Sequence, residues 1–454
     1  MLFGEELSLT DYIDSVYAAS PRIEQSQLIH RQWQRKYTAF EREFYPQLMA
    51  FSRYQFVPQN LPFAGYDKPH LEERFVQESS FPAPGTQFLS RLLDEQYATW
   101  FEEAPRHQVY AGIAMENPLW ITHPRRDSFA IIETQTSYMI CEWQLTQMEE
   151  KARATKMYYS VLLSRKKSSI YADLAAEKER LHKRTVDLFH GETRDSYDTL
   201  VTSIAYSNAM DDFRQAERQE ELLFQEFLEL GGFSEEQREL DLTDSLVQQQ
   251  YGQGISAIEQ TALAENKEIL LKDIARDIAA AEYRQERTAF LPQFTWGVRA
   301  GVRTFPDSDI SLQDHREAFF QVEYPLFTFG ARVERLAEAR YAKRIAELDY
   351  IEKKQDVLWQ LRHAYTTYTE HLSAIERQDR AVSAALEALE IARLRFDNGV
   401  MTVEELNHRK EAYALQRLRR AQALYDLNNA LIDMRLLVAD YLYETDFVDE
   451  EMGR

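Results

Sequence analysis

Carboxylates are the functional groups that this sequence supplies most abundantly. The 454 residues include 75 Asp and Glu against 53 Lys and Arg, which gives a formal net charge of −22. Glu387 and Glu390 lie three residues apart in a stretch that is predicted to be helical, so their side chains share one helix face. Such a pair can attract cations. The alternative is that both belong to an ordinary solvated acidic face.

Motifs for covalent or metal-assisted catalysis are absent from the sequence. The ten His residues are dispersed, and no HExxH, GxSxG, P-loop or CxxC pattern occurs. Cys141 is the single cysteine, so a disulfide within the chain is impossible. We therefore predict that the protein is not an enzyme and uses no cofactor and no metal.

Charge and hydropathy exclude several classes of partner. A strongly acidic chain is repelled by nucleic acid, so we predict no nucleic-acid partner. No stretch approaches the roughly 20 consecutive apolar residues of a membrane-spanning helix. The opening MLFGEELSLT lacks the basic and apolar regions of a secretory signal. A cytosolic protein would begin in this way, and so would a secreted one at its mature N-terminus; the latter is our expectation.

Two very long helical stretches must position any functional group. Neither Gly nor Pro occurs in residues 125–190 or 331–398, and each stretch is followed by a short turn, FHGETRDSYD or FDNGVMTVEE. A helix of this length rises roughly 100 Å and requires continuous side contacts. From Leu336 to Leu389 apolar residues recur mostly at steps of three, four or seven, which predicts a coiled-coil-like seam with the returning helix.

The second half of the sequence repeats motifs of the first half in the same order. NPLWIT at 117–122 matches YPLFTF at 324–329, and each precedes one of the two turns. The interval from proline to turn phenylalanine is the same in both halves, Pro118 to Phe189 and Pro325 to Phe396 (189 − 118 = 396 − 325 = 71). We conclude that the chain contains two structural repeats.

Alternating residues near each proline predict two pairs of β-strands. After Pro292 one face is apolar and the other is polar or glycine, and Val109 to Glu116 alternate similarly. The predicted lipid-facing residues are Phe294, Trp296, Val298, Phe320, Val322 and Tyr324. Strands of about ten residues fit a tilted membrane strand. The alternative is two ordinary hairpins packed on a helical core.

Four strands cannot close a barrel, because about eight strands are the fewest that enclose a filled interior. An open sheet edge in lipid leaves backbone groups unpaired. If these strands lie in a membrane, several chains must therefore share one barrel, and three copies would supply about 12 strands.

The order of motifs in the two halves resembles the TolC-like outer membrane efflux protein family over about residues 7–442. The motifs of the first half are LSLTDYIDSVYAAS, YPQL, NPLW and FHGETRDSYD, and those of the second half are FLPQF, YPLFTFGARVERLAEA and RFDNGVMTVEEL. The resemblance implies a mixed fold of membrane β-barrel and long α-helical barrel, with four strands per protomer and a homotrimer closing a 12-stranded barrel. It also implies a passive exit duct for efflux or type I secretion. The implied partners are outer membrane lipid, a periplasmic adaptor (membrane fusion protein) and an inner-membrane transporter. Some relatives carry a lipidated N-terminal cysteine; none is present here, so no lipid anchor is expected.

The resemblance also assigns the segments of the chain. In the first half we expect an N-terminal periplasmic helix in 1–44, a β-hairpin in 45–119 with an extracellular loop at 57–107, and a helical hairpin in 120–230 with its tip at 189–194. A connecting equatorial segment and helix follow in 231–289. In the second half we expect a β-hairpin in 290–328, a helical hairpin in 329–442 with its tip at 396–402, and an acidic tail in 443–454.

By this resemblance the two turns are the periplasmic tips at which the adaptor docks. The tip residues are Gly191, Glu192, Thr193 and Arg194 in the first turn and Gly399, Val400, Met401 and Thr402 in the second. The first tip carries charged residues, whereas small apolar residues are common at this position in the family. This difference leaves the type of adaptor open. The alternative is that both turns are only helix caps, with a capping box between Thr402 and Glu405.

Glu390 falls where relatives place an acidic residue that narrows the closed pore. In a trimer, Glu387 and Glu390 would form rings of negative charge that select cations and bind metal ions weakly. The competing hypothesis for the whole chain is a periplasmic or soluble coiled-coil scaffold or adaptor, which explains the helical hairpins but not the paired strands.

Overall fold

The computed structural model describes residues 6–43, 45–56, 107–118, 125–191, 195–234, 240–249, 251–304, 312–324, 326 and 328–440. The chain divides into two compact units. The helical unit comprises Met1–Arg35, Ile132–Ala280 and Arg340–Arg454, and the sheet unit comprises Lys36–Ile131 and Ala281–Ala339. The expected extracellular loop 57–107 lies outside the described residues apart from His107, and so does the acidic tail 443–454.

Helices make up most of the described chain. They are α1 (Leu9–Ala19), α2 (Pro21–Arg42), α3 (Arg125–His190), α4 (Ser196–Gly231), α5 (Ile255–Glu265), α6 (Lys267–Thr288), α7 (Ala331–Asp397) and α8 (Val403–Val438). The matching elements of the two halves have nearly equal lengths, 66 and 67 residues for α3 and α7 and 36 residues each for α4 and α8. Within the described residues, no helix combines the length and the apolar character needed to cross a bilayer.

The N-terminal segment forms two helices where the sequence predicted one. α1 ends at Ala19, and α2 begins at Pro21, a residue that suits the first turn of a helix because it has no backbone N–H to leave unpaired. Before α1, the strand β1 (Glu6–Leu7) pairs in parallel with β4 (Asp241–Leu242), which ties the chain start to the segment between the two halves. Neither short strand has a period that sequence analysis could detect.

The seam between α7 and α8 is confirmed over half of α7 only. Leu361, Tyr368 and Ile375 pack against Leu424, Leu427 and Leu431 in one buried cluster. The sequence also assigned Tyr341, Ile345, Leu348 and Ile351 to this seam, and that assignment is wrong, because all four are exposed. The reason is length: α8 has 36 residues and cannot accompany the 67 of α7. α6 contacts that region instead, where Lys353 pairs with Glu268 at 2.6 Å.

The four predicted strands form one antiparallel sheet. They are β2 (Gln47–Phe56), β3 (His107–Pro118), β5 (Gln293–Thr304) and β6 (Gln313–Glu323), in the order β2-β3-β5-β6. The register places apolar residues opposite one another, with Phe294 opposite Val322 and Trp296 opposite Phe320. On the other face Arg299 lies opposite Glu317 and Ala114. The predicted alternation of the two faces is therefore confirmed.

Candidate functional site at the hairpin tips and sheet faces

The second tip is a compact turn that ends α7 in a defined way. The Gly399 N–H donates to the Phe396 carbonyl at 3.0 Å, and the Val400 N–H donates to the Arg395 carbonyl at 2.9 Å. This pair of hydrogen bonds is the Schellman motif, in which the residue just after the end of the helix adopts the left-handed conformation. Gly399 supplies that conformation with φ at +74°.

A capping box starts α8 immediately after this turn, as the sequence predicted. The Glu405 N–H donates to Thr402 Oγ1 at 3.2 Å, and the Thr402 N–H donates to Glu405 Oε2 at 3.1 Å. Two of the unpaired N–H groups at the helix start are satisfied in this way. The turn is thus held by local hydrogen bonds, and its exposed surface remains available to a partner.

A small apolar cluster lies behind the second tip. Its buried members are Leu181, Leu389, Ala392, Phe396, Val403 and Leu406, with Met401 packed against it. Leu181 belongs to α3, so the cluster joins the first hairpin to the second. Of the four predicted tip residues, Met401 is half-buried, whereas Gly399, Val400 and Thr402 are exposed.

The first tip is described only in part. The Gly191 N–H donates to the Asp187 carbonyl at 3.1 Å, which closes the last turn of α3. Asp195 precedes α4, and its Oδ1 accepts a hydrogen bond from the Ser196 N–H at 2.6 Å. Ser196 is the first residue of the helix, whereas an N-cap side chain usually accepts from the second or third residue. Glu192, Thr193 and Arg194 lie outside the described residues.

The acidic pair faces away from the packing side of α7. Glu387 and Glu390 are both exposed, whereas Leu389, Ala392 and Phe396 on the other side of the helix are buried. The structure of one chain therefore leaves both carboxylates in contact with solvent. Among the described residues, no group of three or more His, Cys, Asp or Glu side chains is arranged to hold a metal ion.

An ion cluster that the sequence analysis missed links three helices above the second tip. Lys410 of α8 is only 7% exposed, and its Nζ lies 3.0 Å from Glu177 Oε2 of α3. The same carboxylate is 3.1 Å from an Arg393 nitrogen of α7 and 2.6 Å from an Arg180 nitrogen. The available signal was that Lys410 stands four residues from Leu406 and Ala414, at a position of the helix that is otherwise apolar.

The cluster carries one negative and three positive charges, which changes the acidity of its members. Burial alone would raise the pKa of the Glu177 carboxyl, but the hydrogen bond from Lys410 and the charges of Lys410, Arg393 and Arg180 bring it below its usual value. Burial lowers the pKa of the Lys410 ammonium, and Arg393 and Arg180 lower it further against the opposing effect of Glu177. Within the described residues the cluster is asymmetric, because Glu177 pairs with three cations, whereas Lys410 pairs with Glu177 alone, through its carboxylate and its main-chain carbonyl, each 3.0 Å from Nζ.

The sheet presents two chemically different faces. Of the predicted lipid-facing residues, Val298, Phe320, Val322 and Tyr324 are exposed, while Phe294 and Trp296 are half-buried. On the other face Arg299 donates to Glu116 Oε1 at 2.8 and 3.1 Å and lies 4.3 Å from the Phe319 ring centroid.

This fold occurs in solved outer membrane channels. The Campylobacter jejuni CmeC outer membrane channel is 11% identical, with 95% of this chain and 85% of that chain covered and a TM-score of 0.74. The outer membrane protein VceC of Vibrio cholerae is 12% identical, with 95% of both chains covered and the same TM-score. The Neisseria gonorrhoeae MtrE outer membrane channel is 14% identical, with 95% and 88% covered and a TM-score of 0.71.

A comparison with family models matches a segment within the second half of the chain. Residues 258–439 match the model of the family described as outer membrane efflux protein. No curated protein sequence matches the chain. The family resemblance inferred from the sequence is confirmed by the matched segment, and the fold class is confirmed by the likeness to the channels.

Proposed function

We propose, from this resemblance to the outer membrane efflux protein family, that three copies of the chain form an outer membrane channel. The channel is a passive exit duct for efflux or type I secretion. A periplasmic adaptor docks at the hairpin tips, and an inner-membrane transporter supplies the cargo and the energy. No chemical step is required of this chain.

The sheet carries this proposal. Its two edge strands, β2 and β6, pair on one side only within the described residues. Its exposed apolar face suits lipid, and its other face, with Arg299 bonded to Glu116, suits a water-filled lumen. An open edge in lipid is costly, so the edges of neighbouring copies are expected to pair with each other and close a barrel.

The acidic pair supports a constriction in the same duct. Three copies of Glu387 and Glu390 would place up to six carboxylates around one axis, which favours cations over anions. The exposure of both side chains in the single chain is compatible with this role.

Extraction distinguishes the channel from a soluble scaffold. We expect the protein, expressed with a secretory signal in a Gram-negative host, to sediment with outer membranes, to require detergent for release, and to elute from sizing as a trimer. A protein that stays in the aqueous fraction as a monomer after export would contradict the proposed function.

A further inference from the structure

A row of polar and basic residues crosses the sheet near the end from which its two hairpin loops leave. The register places four residues side by side, one from each strand in the order β2, β3, β5 and β6: Arg53, Tyr110, Arg303 and Gln313. We call this row the belt. It lies on the face that carries Arg299, because Arg303 follows Arg299 by four residues in β5. Each member is within three residues of a strand end, on the side of the loop 57–107 that is expected to be extracellular.

Contacts along the belt position one of its two guanidinium groups. Arg303 Nη2 donates to Gln313 Oε1 at 3.0 Å, and Arg303 Cζ lies 5.9 Å from the centroid of the Tyr110 ring. Tyr110 also separates Arg303 from Arg53, so two like charges are not directly opposite each other, which would destabilise the sheet. Because neighbouring strands are about 4.8 Å apart, the backbones of the two arginines are roughly 10 Å apart. Their long side chains can therefore converge on one ligand.

The next row of the same face has no side chains at its centre. Gly112 of β3 lies opposite Gly301 of β5. A Cβ on Gly112 would lie 2.3 Å from the Ala300 carbonyl oxygen, and Gly301 is limited in the same way, so neither position accepts a side chain unless a strand moves. The sheet surface beside Arg303 is therefore low, and a ligand group can approach the backbone there.

The belt concentrates positive charge at one end of this face. It contains two arginines and no carboxylate. Farther from the loops, the described strands place one positive and three negative residues on the same face, besides His315: Arg299, Glu116, Glu317 and Glu323. Arg299 is already paired with Glu116 at 2.8 Å and with Glu317 at 3.5 Å. The charge of the face therefore changes sign along the strands.

We propose that the belt is an anion-binding site of the duct that takes multivalent anions carrying phosphate groups. This inference rests on the proposed trimeric channel, in which three copies would place six guanidinium groups around the lumen near the loop end of the sheet. A guanidinium group stays charged at physiological pH and binds phosphate through two parallel hydrogen bonds. Two such groups with backbones roughly 10 Å apart suit an anion with several charged groups better than a single small anion.

Lipid phosphate is a second source of the same chemistry, but it would reach the other face of the sheet. Arg316 of β6 lies opposite Ala300, so it belongs to the apolar face at nearly the same distance from the loops. Its side chain is 81% exposed and lies 3.4 Å from Asp314. Arg316 is therefore a matched control, because its replacement removes one arginine from the same end of the sheet without changing the belt.

Single-channel recording in planar bilayers, with sodium tripolyphosphate as the probe, tests the belt. The parent protein is compared with Arg53→Gln, with the double variant Arg53→Gln/Arg303→Gln, and with Arg316→Gln. We expect tripolyphosphate to block the parent channel. The half-blocking concentration should rise about ten-fold in the double variant, as the loss of charge-assisted hydrogen bonds implies, and by a smaller factor in Arg53→Gln. The cation-over-anion permeability ratio in a KCl gradient should rise about two-fold in the double variant, and Arg316→Gln should match the parent in both measurements.

The outcomes separate the belt from the channel itself. A conducting parent that tripolyphosphate does not block, or equal block of the parent and the double variant, would overturn the belt and leave the channel intact. An effect of Arg316→Gln as large as that of Arg53→Gln would assign the binding to the lipid side and would also overturn the belt. If the double variant fails to insert, Arg53→Gln decides the question, because Arg53 is exposed. The absence of any current from the parent would overturn the proposed function together with the belt.

Discussion

The ion cluster gives the sharpest energetic prediction, because its two central members should respond unequally to neutralisation. Glu177→Gln leaves Lys410, which is 7% exposed, without a carboxylate and close to Arg393 and Arg180. Removing one partner of a buried ion pair costs about 3–5 kcal/mol, and we expect about 3 kcal/mol here because the Glu177 side chain is 28% exposed.

Lys410→Met removes the other member at much lower cost. Glu177 keeps Arg180 at 2.6 Å and Arg393 at 3.1 Å, so its charge is still paired. Met fills a similar volume beside Ala414 and Leu406, and removing one ion is costly mainly when it leaves a buried charge unpaired, which is not the case here. We expect a cost of about 1 kcal/mol or less.

Native-state hydrogen exchange of amides in residues 389–410 measures the local opening that this cluster opposes. At 1.36 kcal/mol per factor of ten, Glu177→Gln should speed exchange about 150-fold, and Lys410→Met about five-fold or less. Amides in the distant α1 serve as an internal control and should not change. Equal effects, or a larger effect of Lys410→Met, would refute the asymmetry of the cluster.

The same cluster fixes a sign for pH dependence. The folded pKa of Glu177 is depressed, so its stabilising contribution is present above its unfolded pKa of about 4.3 and is lost as the pH falls through the folded value. The folded pKa of Lys410 is also lowered, so ionised Lys410 costs stability, and this cost is relieved as the pH rises from the folded value toward about 10.4. The free energy of local opening near the second tip, obtained from exchange rates divided by the intrinsic rates at each pH, should therefore fall on acidification below about pH 4, and Glu177→Gln should remove this contribution.

Three further outcomes follow from the tips and the sheet. Thr402→Ala should lose the capping box and destabilise the start of α8 by about 1 kcal/mol, measured by hydrogen exchange of its first turn against an unchanged α4. Val298→Arg, on the exposed apolar face, should lower the stability of the membrane-inserted protein by about 2–4 kcal/mol and reduce the amount of trimer found in outer membranes. Thr295→Arg, on the opposite face, should be tolerated. An equal loss of trimer in both variants would contradict the assignment of faces. Glu387→Gln with Glu390→Gln should lower the cation-over-anion permeability ratio several-fold, and an unchanged ratio would place both side chains outside the conduction path.

The sequence predicts those parts of the fold that have a strong period. The alternation after Pro292 identifies β5 and its faces, because one side of this strand is apolar from Phe294 to Val302. The long helices are also predictable from the sequence, since α3 and α7 contain neither Gly nor Pro and each ends at a glycine turn. Thr402 and Glu405 form the predicted capping box because this motif depends on neighbouring residues only.

Features that depend on contacts between distant residues were not predictable. The apolar period of α7 continues through Tyr341 and Ile345, although α8 ends before it can cover them. Pairing of Leu7 with Leu242 depends on a contact across more than half of the chain. Lys410 appears in the sequence as one more basic residue, and only its position beside Glu177 reveals its environment.

Conductance of the purified protein in a planar lipid bilayer tests the central claim most directly. A trimer with a shared barrel and acidic rings should give discrete, cation-selective current steps from detergent-solubilised protein. The absence of any current from correctly exported protein that sizes as a soluble monomer would contradict the channel.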